Sequence, residues 1–385
     1  MTTVDKDAFR EILREKILTY YNKGVFSAAS VSLCFRNSGN NQKNRITVEY
    51  NGDNKNFSDG TRTIFDLASL TKPLVTLLCL LHLIDKGTVK WSDRVKNVFQ
   101  RGCSESLSRV SIEMLVSHSS GLPAHRDYWK GLSEVTPKRR KEWLLGEILR
   151  ETVEHHSCGS VEYSDLGYLL LGFIVETVTG QSLDTYWSTT IARTMGLEDE
   201  LFFTGTDRHT DKIYAPTGPC GTTRQQLAGR VHDDNCRLLG GVCGHAGLFG
   251  TSAAVLRLTE ELLALYSGKE TVLPISRKIF RRACERVGPA DWSRGFQLPT
   301  PGKSSSGRYF SPESFGHLGF TGTSFWIDPV RQLIVVLLTN RVIKGEDRSA
   351  IQRMRPDLYD CVVKYLNGMK GKRGAIGEGG GDSDR

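Results

Sequence analysis

The sequence predicts an α/β fold in which one sheet is completed by both ends of the chain and a helical segment is inserted between them. Three observations carry that prediction. Strand patterns stand near both ends, apolar helical patterns separated by Gly/Pro/Ser loops fill the middle, and no internal repeat divides the chain. Residues 1–66 and 250–367 are expected to form the sheet domain, 67–249 a mainly helical domain, and 368–385 a disordered tail. A chain of 385 residues exceeds one simple domain, so two interleaved units suit it.

The elements follow in order. Phe9, Ile12, Leu13, Lys16, Ile17 and Tyr20 recur at helical spacing and predict an amphipathic first helix. Val25–Phe35 and Arg45–Tyr50 read as strands around a Gly/Asn-rich turn at 37–44. Ser69–Lys86, leucine-rich and ended by Gly87, reads as a helix. Pro73 is tolerated only in a first turn, so that helix must begin near Ser69. Helical segments follow at Ile112–Val116, Glu142–Leu149 and Gly167–Val178, the last stopped by Gly180. Ser324–Ile327 and Leu333–Leu338 read as strands around an Asp328-Pro329 turn, and Ala350–Leu366 as a closing helix. Beyond Gly368 the chain is glycine-rich, polar and too poor in apolar surface to fold.

Composition narrows the partners. Hydrophobic residues at 39% and charged residues at 24% are ordinary for a globular chain. The formal charge of +8 is spread among acids, and the run Lys138–Lys141 reads as a solvated face. No base-reading motif accompanies it, so no nucleic-acid partner is expected. The longest apolar run, Leu74–Ile84, is too short to cross a bilayer, and no membrane partner is expected. Nine widely spaced cysteines without a C-x-x-C pair suggest reduced thiols. The polar stretch Met1–Tyr21 lacks the core of a signal peptide. A cytoplasmic protein is the expectation, although a trimmed leader would leave the same sequence.

Ser69-Leu70-Thr71-Lys72 is the one S-x-x-K in the chain. Residues three apart share a helix face, so hydroxyl and ammonium can meet. The helix N-terminus favours negative charge developing at Ser69, and a lysine kept neutral by burial can act as its base. The tetrapeptide alone is weak, since Ser69 as a plain cap and Lys72 as a surface residue would explain it. Two further motifs change that reading: Tyr163-Ser164-Asp165 ahead of a helix, and His317-Leu318-Gly319-Phe320-Thr321-Gly322 before the last strand pair.

With these in place, the sequence resembles the serine β-lactamase and penicillin-binding-protein superfamily, in the branch of class C β-lactamases, D,D-peptidases and family VIII esterases. That group carries S-x-x-K, a Y-x-N or S-x-N element and a K-T-G-like triad, in this order. Leu115–Pro123 and Gly241–Phe249 also look like its structural signatures, and the resemblance covers about residues 20–365. It implies a β-lactamase/transpeptidase-like fold: an antiparallel sheet flanked by helices plus a mainly helical domain. It makes Ser69 the nucleophile, with Lys72 taking its proton directly or through Tyr163. The backbone N–H groups of Ser69 and Phe320 become the oxyanion hole. Asp165, His317, Gly319 and Thr321 become substrate-binding positions.

Two departures bear on substrate. Asp165 stands where the element usually has Asn, so it cannot donate as an amide does and is able to pair with Lys72, holding it charged. His317 replaces the lysine of the triad, and a neutral imidazole attracts a carboxylate less than an ammonium does. Both point away from efficient β-lactam hydrolysis. The expected function is a serine hydrolase acting on an ester or amide, carboxylesterase-like or D-amino-acid-peptidase-like, through an acyl-enzyme on Ser69. The alternative is a catalytically degenerate relative that binds a ligand or partner. A small-molecule or peptide-like substrate is expected, with no metal or organic cofactor. His232, Cys236, Cys243 and His245 have a spacing able to hold zinc, but they fall inside the family's own segments; the 231–235 stretch is read instead as a candidate pocket wall. His118, Ser119 and Ser120 lack a G-x-S-x-G elbow and read as structural, and Asp66 and Glu162 as supporting or surface groups.

Overall fold

Strand hydrogen bonding assembles the predicted sheet from both ends of the chain. The computed structural model describes residues 4–36, 42–52, 55–153, 161–205, 211–219, 226–344 and 347–371. Six antiparallel strands run in the order β3-β2-β1-β10-β9-β8. They are β1 (Ala28–Arg36), β2 (Lys43–Asn51), β3 (Asn56–Ser58), β8 (Phe315–Leu318), β9 (Ser324–Asp328) and β10 (Leu333–Thr339). A second, four-stranded group, β5-β7-β4-β6, joins β4 (Thr63–Asp66), β5 (Leu201–Phe203), β6 (Ile213–Tyr214) and β7 (Leu248–Gly250).

Alternation along β10 divides the core. Val335 and Leu337 join the cluster under the first and last helices, while Ile334, Val336 and Leu338 face the helical side. The first helix, Lys6–Asn22, is capped by Asp5 and buries Phe9, Leu13, Ile17 and Tyr20, as its spacing predicts. On the other face, Ser252, at the start of the helix Ser252–Ser267, bonds to Ser30 and Ser32 of β1 at 2.7 Å each.

The stretch predicted as one helix from Ser69 is three pieces: a 3₁₀ turn at Ala68–Leu70, a π turn at Lys72–Thr76 and an α-helix at Leu77–Asp85. Pro73 supplies the reason, because it has no N–H for Ser69 and its ring crowds that carbonyl. The wider i→i−5 bond, Leu77 N–H to Lys72 C=O, takes up the mismatch. Ala68–Asp85 is long and apolar enough to pass as a membrane span, a length the Leu74–Ile84 run understates, yet 72% of it lies buried within the fold. The closing helix is also longer than expected, Ser349–Gly371, so Gly368–Gly371 are helical. The rest of the predicted tail, and part of the 37–44 turn, fall outside the described residues.

Candidate active site

The Ser69 turn is strained and tied at several points. Ala68, just before Ser69, has φ of 48°, in the left-handed region that a Cβ disfavours. Asp66 holds that turn by accepting from Ala68 N–H at 2.9 Å, and also accepts from His232 N–H at 2.8 Å. Burial pushes the Asp66 carboxyl up to about 6. Thr71 Oγ1 donates to Ala68 C=O at 2.7 Å.

Lys72 is fully buried. Its Nζ lies 3.0 Å from Ser69 Oγ, 2.6 Å from Asp165 Oδ1 and 3.2 Å from the His245 carbonyl. The His245 segment is held close by Thr76 Oγ1, which donates to Gly244 C=O at 2.6 Å, and by the contact of Gly244 with Gly172. Burial opposes charge on Lys72, but the Asp165 carboxylate and, after it, the Tyr163 hydroxyl together outweigh it and raise the lysine above its ordinary value. Asp165 shows the converse: burial works against its charge, and the Lys72 ammonium holds it well below the usual carboxylate range. It is the first residue of the helix Asp165–Thr179, where the positive helix end favours a carboxylate. The pair is therefore ionised.

Tyr163 sits beside it. Lys72 Nζ lies 4.8 Å from its ring centre, and its hydroxyl is within electrostatic reach of Lys72 and Ser69. Burial raises its pKa, with Lys72 opposing. His118, Trp292 and His317 surround its ring at 4.5, 5.6 and 6.0 Å between centres. His118 also accepts from Ser164 N–H at 3.1 Å, in keeping with its structural reading.

His317 Nδ1 is 2.8 Å from the Leu318 carbonyl. A carbonyl only accepts, so Nδ1 carries the proton and Nε2 keeps a lone pair. Burial holds the imidazole down at about 3, hence neutral. Among the described residues Nε2 has no hydrogen-bond partner.

Ser69 and Phe320 line one cleft of about 650 Å³ with Tyr163, Asp165 and His317. Among the described residues neither the Ser69 N–H nor the Phe320 N–H has a hydrogen-bond acceptor. Two unsatisfied donors beside a serine have the chemistry of an oxyanion site. Gly319 and Thr321 border the cleft, but the Thr321 hydroxyl is engaged, donating to Asp66 C=O at 2.7 Å. It laces the turn to the Ser69 segment.

The His232 stretch does line the cleft, with the His232 ring stacked on Phe320 at 5.6 Å. Of the four residues with zinc-like spacing, Cys236, Cys243 and His245 neighbour one another, while His232 is stacked on Phe320. Cys236 Sγ bonds to Ala246 C=O, and His245 Nε2 lies 3.1 Å from Asp233 Oδ1. Against burial, Asp233 lifts His245 to about 10. Among the described residues no group of three or more His, Cys, Asp or Glu side chains is arranged to hold a metal ion. Sequence reasoning missed His125, whose Nδ1 is 3.5 Å from Asp165 Oδ2, along with Trp292, Arg341, Arg348 and Arg355. A sequence signal existed only for His125, which stands two residues after the Gly121-Leu122-Pro123 turn.

The β-lactamase family model matches residues 46–357. A curated Escherichia coli K12 protein described as "Putative D-alanyl-D-alanine carboxypeptidase" is 31% identical over 326 residues, 78% of this chain and 73% of its own. Among solved structures, EstCE1, "a hydrolase with promiscuous acyltransferase activity", superposes with a TM-score of 0.69 at 19% identity, covering 93% of this chain and all of its own. The D-amino acid amidase of Ochrobactrum anthropi SV3 superposes at 0.66 and 19% identity, over 94% and 99%. At such identities the structures speak for the fold, and the fold agrees with the motif order. The chain belongs to the β-lactamase family, a family of serine hydrolases with a penicillin-binding-protein-like fold.

Proposed function

We propose that this protein cleaves a small ester or amide through an acyl-enzyme on Ser69. The observation that carries the reading is Lys72 Nζ at 3.0 Å from Ser69 Oγ, beside two free backbone N–H donors. Ser69 Oγ attacks the carbonyl and its proton leaves for Lys72 or Tyr163. The proton-accepting form is the neutral Lys72 amine, which the Asp165 carboxylate at 2.6 Å disfavours in the resting state. The tetrahedral oxyanion is received by the N–H groups of Ser69 and Phe320. Collapse expels the leaving group, which takes a proton from the same relay, and water then attacks the acyl-Ser69 ester.

The neutral His317 favours substrates without a carboxylate at that position, which ranks an ester or an amide above a β-lactam. Names among the relatives, a carboxypeptidase, a hydrolase and an amidase, agree with acyl transfer. One observation favours a second reading as a ligand-binding relative: the ionised Lys72–Asp165 pair, which withholds the base in the resting state.

The test offers the protein a short-chain nitrophenyl ester, a D-alanyl dipeptide and a chromogenic cephalosporin, with intact-mass detection of adducts. Turnover of the ester or dipeptide with an adduct mapped to Ser69, both absent from Ser69→Ala, is expected. No turnover and no adduct with any of the three leaves the binding reading standing. Full activity in Ser69→Ala removes the mechanism.

A further inference from the structure

The turn after β8 carries a charge for which the proposed reaction has no role. Arg355, on the helix Ser349–Gly371, is 6% exposed and lines the cleft. Its Nη2 donates to the carbonyls of Gly319 and Thr323, at 2.9 Å each. Among the described residues no carboxylate contributes to its electrostatics; the Tyr359 phenol favours its charge and Arg341 and Arg348 oppose it. Burial draws the guanidinium down to about 10, which leaves it protonated at neutral pH. A buried cation without a counter-ion is costly to keep.

Its place on the backbone gives that charge a use. The carbonyl of Gly319 and the N–H of Phe320 belong to one peptide unit, and no peptide bond in the described chain is cis. In a trans planar unit the C=O and N–H point opposite ways, so anchoring the oxygen fixes the direction of the N–H. A cation on the oxygen also draws electron density through the amide and strengthens the N–H as a donor. Arg341 secures the next carbonyl, its Nε donating to Phe320 C=O at 2.7 Å. Arg341 and Arg348 both stand 4.5 Å from the centre of the Phe320 ring. The positive field is thus gathered around one turn.

We propose that Arg355 is a positioning residue for the oxyanion hole: from behind the Gly319–Phe320 peptide it aims and polarises the N–H that receives the oxyanion. This rests on the hydrolase reading above, since it assigns Phe320 N–H to that reaction. The charge does most of the work, so lysine should replace arginine better than glutamine does.

The experiment compares the wild-type chain with Arg355→Gln and Arg355→Lys, following nitrophenyl acetate hydrolysis and the affinity for phenylboronic acid. Ser69 Oγ adds its electron pair to boron while its proton leaves for the Lys72–Tyr163 relay, forming a tetrahedral anion with an oxygen in the oxyanion hole and no leaving group. Arg355→Gln should lower kcat about 10- to 100-fold, change KM less than about threefold, and weaken the boronate by about the factor lost in kcat. Arg355→Lys should recover most of that loss. The proposal is overturned if Arg355→Gln keeps full kcat and boronate affinity, or if Arg355→Lys falls as far as Arg355→Gln, which marks plain anchoring. An effect confined to KM for carboxylate-bearing substrates also overturns it. If thermal unfolding shows that Arg355→Gln does not fold, Arg355→Lys decides: a tenfold loss of boronate affinity counts against the charge, near-parity for it. A wild type that neither turns over nor forms adducts removes the hydrolase reading itself; an active wild type with an unaffected Arg355→Gln removes this inference alone.

Discussion

Lys72 Nζ stands between Ser69 Oγ at 3.0 Å and Asp165 Oδ1 at 2.6 Å, so one buried cation links the nucleophile to a carboxylate. Its charge depends on that carboxylate. Burial alone lowers the lysine, and Asp165, with Tyr163 behind it, turns the shift upward.

Asp165→Asn tests this balance directly. With the carboxylate gone, burial dominates and the lysine pKa falls. The acid limb of the kcat/KM profile should then move to lower pH by at least about one unit. Activity on an ester at pH 6 should rise at least about threefold, by the same displacement of the base. A limb that stays in place would show that Lys72 is not the titrating base.

The same pair makes stability depend on pH. The Asp165 pKa is depressed on folding, so its contribution is complete above the unfolded value of about 4 and is lost as pH falls below it. The Lys72 pKa is raised, so its contribution is present below about 10.4 and lost as pH rises beyond. Asp165 is 21% exposed, which softens the cost of removing it. Asp165→Ala should destabilise the chain by about 2–3 kcal/mol at pH 7, and the gap should narrow at pH 3. Denaturant melts at the two pH values measure it.

Gly319→Ala should damage both fold and activity. An added Cβ would press into the Thr323 hydroxyl and come within 2.8 Å of the Leu67 carbonyl, next to the Ser69 turn. Overpacking of this kind costs about 1–3 kcal/mol, and the shifted turn should lower kcat about tenfold or more. A melt together with steady-state kinetics on the ester reads both effects.

His317 should remain a neutral, Nδ1-protonated imidazole between pH 8 and 5. Burial depresses it to about 3, and the Leu318 carbonyl selects the tautomer. A depressed histidine adds stability that is complete above the unfolded value of about 6.5 and is lost as pH falls toward 3. Nitrogen-15 shifts of its ring across that range check the assignment, and a midpoint near 6.5 would contradict it.

Much of the fold is legible where hydrophobic pattern runs long enough to have a period. β1, β10 and the helix Asp165–Thr179 all lie close to their predicted spans, because each offers at least seven residues of pattern. β5, β6 and β7 are two or three residues each, too short for alternation to register. The 3₁₀ and π turns around Ser69 escaped for another reason: Pro73 announces an irregularity without specifying which hydrogen bonds replace the lost one.

The site divides along similar lines. Ser69 and Lys72 were legible because three-residue spacing is local geometry, and Tyr163 and His317 because motif order along the chain survives without coordinates. Trp292, Arg341 and Arg355 were not, since each reaches the cleft from a distant segment and shares no local spacing with the motifs. From sequence alone it was determined that a carboxylate, not an amide, follows Tyr163, and that a titratable ring replaces a lysine at 317. Only the tertiary structure decided what those groups do. It buries Lys72 against Asp165, so Coulomb attraction favours the charge of both, and it buries His317, which leaves that ring neutral, while the Leu318 carbonyl fixes which nitrogen keeps the lone pair.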